Sequence, residues 1–563
     1  MRALLARLPL VRQHQQGAID LRRDLSAGLT TAVMLVPQAM AYALLAGLDP
    51  IVGLYASTVP LALYGLLGTS RQLAVGPVAM VSLLVASGLQ GPSGGDPARA
   101  ASLAVVLMVL VGALQLGMGV FRVGFLVRFL SHPVVAGFTS AAALIIGASQ
   151  LGHVLGLDLP RSHHVHETLL RAVQGLPDVH GPTLAVATAS VVGLVGLKRY
   201  APTVPRFLVV VGLAGAAVWG LDLASHGVKV VGQVPAGLPT PAVPALPWAE
   251  LPALLPTALT IALVGFLESI SVAQRFARQE GYAIDADQEL VALGAANLGG
   301  SLFGGYPVTG GFSRTAVNAQ AGAVSGLASL VTAGAVVLTL LFLTPLFTHL
   351  PKATLAAIIL TAVAGLVDVA EARHLYRVSR PDLAAMGLTF VATLALGIEP
   401  GILAGVAGSL LWFIWRTSRP HTAELGYCPQ IDVYRNLDRY PQAERIPGVV
   451  VLRIDGPLYF ANTAFLQQTV RDVLRDDTRH LVLDANAIPS VDAQALDTMA
   501  TVLAELADRG VQVWVSGARG PVRDQVRRAH LALDSDHVVE KVQDAVARIA
   551  PRPTLVAVEH PVG

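Results

Sequence analysis

Charge is scarce in this chain: Asp, Glu, Lys and Arg make up 13% of its 563 residues, about half the share of an ordinary soluble domain. That excludes a soluble enzyme of the usual kind. Aromatic residues are also few, at 6%, and there is one cysteine, Cys428. A lone cysteine can form neither an intrachain disulfide nor, by itself, a zinc site, so it reads as an inert thiol. The net charge is only +2; summed over loops on both sides of a membrane, it points to no nucleic-acid partner. The N-terminus carries Arg2, Arg7, Arg12, Arg22 and Arg23 but no compact apolar core with a small-residue cleavage site. No removable signal peptide is therefore expected, and the first span serves as the insertion signal.

Apolar residues take the place of the missing charge. They form 53% of the chain, the mean hydropathy is +0.60, and runs of bilayer length fill residues 24–416. Stretches near 26–46, 51–67, 77–90, 101–120, 133–151, 182–197, 207–225, 252–274, 288–303, 312–322, 326–349, 354–370, 383–398 and 401–415 predict fourteen spans. Several are too short to cross alone at 1.5 Å per residue. An inside N-terminus puts Arg71, Arg122, Lys198, Arg199, Arg275, Arg278, Arg373 and Arg416, among others, on the inner side, and leaves Arg99, Arg161, Arg171, Lys229 and Lys352 outside. This asymmetry satisfies the positive-inside rule with an even number of crossings, a condition met by fourteen and also by twelve. Beyond about Pro420 the pattern changes to that of a soluble domain. Strands are predicted at 449–455, 480–485 and 511–516, and helices near 461–476 and 493–509, which together imply a small α/β fold. The expected layout is a cytoplasmic segment 1–23, a transmembrane domain 24–419, a linker 420–446, a cytoplasmic α/β domain 447–552 and a tail 553–563.

The two shortest stretches, 77–90 and 312–322, occupy matching places in the two halves. Each follows a helix ending in glycine (65–68 and 300–304) and then an extended, turn-prone run, Gln72–Pro77 or Tyr306–Gly311. Paired short, Gly/Pro-interrupted segments are the best sequence pointer to a transporter site in which half-helices meet near the middle of the membrane. They imply an inverted repeat of seven plus seven spans. The plainer alternative makes both stretches ordinary loops, but their common spacing argues against it.

The run Val36–Leu48, with Gly53–Ser57, Gly68–Ala79, Phe266–Ala273 and Gly304–Asn318, resembles the signature of the SulP (sulfate permease) family of anion transporters, over nearly the whole chain. The resemblance implies a uracil-permease-like α-helical membrane domain of fourteen segments, split into core and gate domains, followed by a small α/β STAS domain. It also implies a homodimer, and a substrate among sulfate, chloride, bicarbonate, oxalate and dicarboxylates.

An anion at mid-membrane needs positive potential, yet an unpaired full charge in hydrocarbon is costly. Helix N-termini offer free amides and about half a positive charge each. The starts at Val78–Ala79 and Phe312–Ser313 would supply them; Gly76, Gly310 and Gly311 would let a ligand approach the backbone, and Ser313 would add a hydroxyl. The competing reading of these glycines is close helix packing. Arg314 falls in the first turn of the second half-helix, where it would strengthen the pull on an anion; the alternative is a structural pair with a carboxylate. Gln38 and Tyr42 share one helix face just after Pro37 and could line the pocket, as the matching family positions do, although Tyr42 could equally serve packing. Phe312 would form an apolar wall. Glu268 lies seven residues before Arg275, inside the bilayer, where a carboxylate is expensive; it reads as a coupling or pairing group, with snorkelling as the bland alternative. The position resembles an acidic site that in relatives is linked to a cation. Val272, one turn on, offers no oxygen to sodium, which favours a co-transported proton or no coupled cation.

His163, His164, His166 and Glu167 lie in an expected outer loop without an apolar shell or ligand framework, so no metal is assigned to them. Lone Ser, His and Asp residues stand outside any nucleophile-elbow motif, so no catalytic residue and no cofactor are expected. The segment Asp484–Leu496 resembles the phosphorylated segment of bacterial anti-sigma-factor antagonists, but Ala493 and Gln494 follow Asp492 and neither can accept phosphate. The expected function is secondary transport of a small anion by alternating access. An uncoupled channel or exchanger of the same fold is the alternative, and a membrane-tethered signalling protein is a more distant one.

Overall fold

The apolar runs appear as fourteen helical segments in the computed structural model, which describes residues 9–15, 19–125, 131–159, 165–201, 204–245, 247–531 and 535–550. In chain order they are α1 (Leu21–Ala46), α2 (Pro50–Leu67), α3 (Ala79–Ser93), α4 (Pro97–Val120), α5 (His132–Leu155), α6 (Gly181–Tyr200), α7 (Arg206–Gly220), α8 (Leu251–Glu280), α9 (Ala286–Ser301), α10 (Phe312–Gln320), α11 (Leu327–Phe347), α12 (Lys352–Val363), α13 (Arg380–Leu396) and α14 (Ile398–Thr417). Eight helices among the described residues are long and apolar enough to span a membrane unaided. At 15 and 9 residues, α3 and α10 rise only about 22 and 14 Å. Two short strands precede them, β1 (Val75–Gly76) and β2 (Thr309–Gly310).

Local chemistry sets the helix ends. The Asp20 carboxylate accepts the Arg23 amide at the start of α1, and Gly47 closes that helix at φ 83°, a left-handed value that costs glycine nothing. Pro37 sits inside α1, after several turns that could nucleate without it.

The repeat is visible in which helices touch. Helix α4 packs on α8 and α9, and α11 packs on α1 and α2; α5 packs on α13, and α12 on α6. Exchanging each helix for its counterpart seven places away in the other half turns one contact of each pair into the other. The first set forms the core domain, α1–α4 with α8–α11, and the second the gate, α5–α7 with α12–α14. Small residues allow the closest crossings. A Cβ on Gly294 of α9 would lie 2.4 Å from the Leu116 amide of α4, and one on Gly65 of α2 would lie 2.8 Å from the Gly326 carbonyl beside α11. Such approaches are how helices gain van der Waals contact where lipid removes the hydrophobic drive.

The chain divides into two compact units, 1–409 and 410–563, each described by itself. The second contains a six-stranded sheet of order β4-β3-β5-β6-β7-β8, with β3 at His421–Cys428, β4 at Val433–Asn436, β5 at Val449–Asp455, β6 at His480–Asp484, β7 at Gln512–Ser516 and β8 at Val538–Val539. Strands β5 to β8 are parallel; β3 pairs antiparallel with both β4 and β5. The expected linker 420–446 is therefore corrected, because it contains two strands of this sheet. They escaped notice because β3 is half-buried and carries His421, Glu424 and Gly426, whereas the parallel strands, covered on both faces, read as continuous apolar runs. One face packs Leu452, Leu483 and Val515 on α15 (Thr463–Val473) and α16 (Ala493–Asp508); the other packs Val451, Val482 and Trp514 on Val546 of the last helix. The expected outer loop also differs from expectation, since Val165–Gln174 is helical; His163 and His164 lie outside the described residues, as does the tail 553–563.

Candidate anion site

Strands β1 and β2 pair antiparallel, Val75 opposite Gly310 and Gly76 opposite Thr309, and this brings the N-termini of α3 and α10 together. The N-caps, Val78 and Gly311, are both extended and neither forms a side-chain cap bond. The first amides of each half-helix therefore have no partner within their own helix. A polar lock holds the crossing. Ser269 of α8 bonds Thr309 at 2.6 Å and accepts the Gly310 amide at 2.8 Å, Asn297 of α9 accepts the Val308 amide at 2.9 Å, and Thr315 accepts the Ala74 amide at 3.1 Å.

Arg314 lies across this junction with 1% of its surface exposed. Its Nη1 donates to the Pro77 carbonyl, while Nε and Nη2 are buried without a hydrogen-bond partner. The alternative of a carboxylate pair finds no contact, since Arg314 takes part in none of the ion pairs among the described residues. Tyr42, Glu268 and Tyr306 are the titratable groups within its electrostatic reach. The glycines make room for this side chain: a Cβ on Gly311 would lie 2.9 Å from Arg314 Nη2 and 3.2 Å from Val78 Cγ1, and one on Gly76 3.4 Å from Nη2.

The remaining residues singled out in the sequence fall around the same point or at its rim. On α1, Gln38 donates through Nε2 to the Tyr42 hydroxyl at 3.1 Å, and its Oε1 is buried and unpartnered. On α8, Glu268 Oε2 is likewise buried and unpartnered, and Val272 is buried one turn on. Val78 and Ala79 are buried at the start of α3. Phe312 and Ser313 are exposed; the Phe312 ring lies 6.4 Å from that of Phe276 and 5.2 Å from the Arg275 guanidinium.

Two buried polar groups carried no signal in the sequence. Tyr306, which looked like a turn residue, is fully buried, and its hydroxyl meets Ser82 Oγ of α3 at 2.9 Å. Glu289, in the first turn of α9, is fully buried and accepts from the Tyr64 hydroxyl at 2.6 Å, from the Thr69 amide and hydroxyl at 2.6 and 2.7 Å, and from the Ser70 amide at 3.1 Å. It anchors the turn that leads into β1. In the second unit, the Asp492 carboxylate caps α16, accepting the Ala495 and Phe460 amides at 2.8 Å each. The arrangement in the first unit gathers two helix starts and a guanidinium with unpartnered Nε and Nη2, together with unpartnered acceptors on Gln38 of α1 and Glu268 of α8.

Comparison with known proteins gives a consistent picture. The model described as the sulfate permease family matches residues 21–389, and the STAS domain model matches residues 440–545. The chain is 38% identical over 543 residues to the chloroplastic sulfate transporter 4.1 of Arabidopsis thaliana, covering 93% of this chain and 79% of that protein. It is 38% identical over 531 residues to a probable sulfate transporter of Mycobacterium tuberculosis, covering 93% of this chain and 95% of the other. The solved structure of the murine Solute Carrier 26 family member A9 anion transporter in the inward-facing state superposes with a TM-score of 0.90 at 27% identity, covering 97% of this chain and 94% of that one.

Proposed function

The chain belongs to the sulfate permease family, a membrane anion transporter and not an enzyme, and on that premise we propose that it moves a small oxyanion of the sulfate, bicarbonate or dicarboxylate class by alternating access. The observation that carries this reading is the Arg314 guanidinium, fully buried between two half-helix N-termini with Nε and Nη2 unbonded. Burying a donor without a partner costs about 1–3 kcal/mol, more for a charged group. An anion seated between Gly76, Val78, Ala79 and Gly311–Arg314 would satisfy these donors and the free amides together. Gln38, Tyr42 and Phe312 would form its walls. Such a site is polar without a rigid cage of charge, so it can also let the ion go.

Glu268 supplies the proposed coupling. An unpartnered carboxylate oxygen within electrostatic reach of the guanidinium can hold a proton without any further oxygen ligand, and buried Val272 gives sodium nothing to bind. The soluble domain and the N-terminus face the cytoplasm in this reading, and the working unit is a homodimer in the bilayer.

The test is uptake of labelled sulfate, bicarbonate and a dicarboxylate into proteoliposomes, with and without an acid-outside gradient. Saturable uptake and counterflow are expected for one of the three anions; flux linear in concentration with no counterflow would replace the carrier with a channel. In Glu268→Gln, gradient-driven uptake should fall at least tenfold while binding stays within about twofold. Undiminished acceleration by the gradient in that variant would remove the proton.

A further inference from the structure

A cavity with two lysines in its lining begins one helical turn along α1 and α3 from the anion-site residues. It has a volume of about 270 Å³ and is bounded by Leu45 of α1, Leu83 of α3, His153 of α5, Asp158, Lys229 and Lys352. Leu45 is three residues beyond Tyr42, and Leu83 four beyond Ala79, a rise of about 5 Å. Leu45 and Leu83 therefore lie between the cavity and the anion-site residues along α1 and α3. Leu45 and Leu83 are buried at 6% and 8%, so they close it there, while Phe312 and Ser313 are exposed.

The backbone places the two lysines side by side. Val230 bridges Pro351 in antiparallel fashion, the Val231 amide donates to the Leu350 carbonyl at 2.9 Å, and the Lys352 amide to the Lys229 carbonyl at 2.9 Å. Asp158 is the one carboxylate among the described lining residues. It pairs with Lys229 from a side chain that is 92% exposed, so solvent screens that pair. Lys352 is partly buried and belongs to none of the ion pairs among the described residues. A half-desolvated ammonium lining a hydrated cavity attracts an anion more strongly than one in bulk water.

We infer that this cavity is a loading site in which Lys352, assisted by Lys229, holds the partly hydrated anion on the outer side before the Leu45–Leu83 constriction opens to Arg314. The inference rests on the transport reading for its purpose but not for its binding. It gives the carrier two stations of different chemistry: an ammonium that keeps water on the ion, then amides and a guanidinium that replace that water.

The test uses the full chain, whose one cysteine, Cys428, is buried. In Ser87→Cys, at a position that lines the same cavity, an anionic methanethiosulfonate should react several-fold faster than its cationic counterpart, owing to Lys229 and Lys352, and millimolar sodium sulfate should slow the reaction where gluconate does not. Protection should persist when Arg314→Ala is added. Equal rates for the two reagents, absence of sulfate protection, or protection that vanishes with Arg314→Ala would each overturn the site. In proteoliposomes of fixed orientation, Lys352→Gln should raise KM for outside sulfate about three- to tenfold, leave the inside KM unchanged, and be rescued by Lys352→Arg. Equal rises on both faces would also overturn it. Because labelling requires no turnover, sulfate protection without any uptake would retain the site and reject the transport reading.

Discussion

The two half-helices are built to one backbone plan and filled with opposite side chains. Each begins after a two-residue strand, with an extended N-cap that makes no side-chain bond. Aligned from those caps, α3 places Ala79, Met80 and Val81 where α10 places Phe312, Ser313 and Arg314. The first three are buried; of the second three, two are exposed and the third is a buried cation. The repeat therefore duplicates what the backbone can supply, a pair of dipole ends, and leaves side-chain charge to one half. An anion seated there would feel a symmetric short-range field of amides and an asymmetric long-range one, and the two can be separated by mutation.

The largest effect is expected from breaking the asymmetry. Arg314→Ala removes a charge that no carboxylate neutralises by contact. At an effective dielectric near 20 and a separation of about 6 Å, that charge is worth about 3 kcal/mol per unit of anion charge. Calorimetry on folded, purified protein should show a loss about twice as large for sulfate as for chloride. Equal losses would mean that the guanidinium only braces the Pro77 carbonyl and that the helix ends supply the field alone.

A middle-sized effect separates the paired glycines. Gly311→Ala sets a methyl group 2.9 Å from Arg314 Nη2 and 3.2 Å from Val78, whereas Gly76→Ala meets the same guanidinium at 3.4 Å, ordinary contact. The guanidinium is enclosed and bonded to Pro77, so it cannot swing away freely. Overpacking of this kind costs about 1–3 kcal/mol. Gly311→Ala should lower sulfate affinity at least tenfold and lower the melting temperature by a few degrees, while Gly76→Ala should change affinity less than threefold. Identical outcomes would remove the geometric distinction between the halves.

How much of this was legible in the sequence follows from the range of the forces involved. Helix placement was, because fourteen apolar runs with their punctuating glycines are local patterns, and so was the meeting of the half-helices, because it rests on matched spacing. The partners of polar groups were not. Glu289 reaches Thr69 and Ser70, more than 200 positions away, and Tyr306 reaches Ser82 across the repeat; only the fold chooses among many such residues. Nor did the sequence show that the atom nearest to a Cβ on Gly76 or Gly311 is Arg314 Nη2, and that one on Gly310 would meet Leu73. Strands β3 and β4 were lost inside an expected linker because half-buried antiparallel strands with charges along them resemble loop sequence.

The smallest effect tests the short-range side of the comparison. Ser313 offers a single exposed hydroxyl, and its counterpart Met80 offers none, so one half already works without a side-chain donor at this position. Ser313→Ala leaves both sets of amides and Arg314 in place. The net value of one hydrogen bond, about 1 kcal/mol, corresponds to roughly a fivefold rise in Kd. A hydroxyl is a dipole whose pull falls off faster than that of a charge, so the loss should be the same for chloride and for sulfate within about twofold. Serine exposure on the Phe312 side also predicts that Ser313→Cys is modified by a thiol reagent from that face and is protected by sulfate. A loss that doubles with anion charge, as Arg314→Ala is expected to show, would mean that Ser313 acts by orienting the guanidinium. The short-range and long-range contributions of α10 would then be one contribution, carried by Arg314.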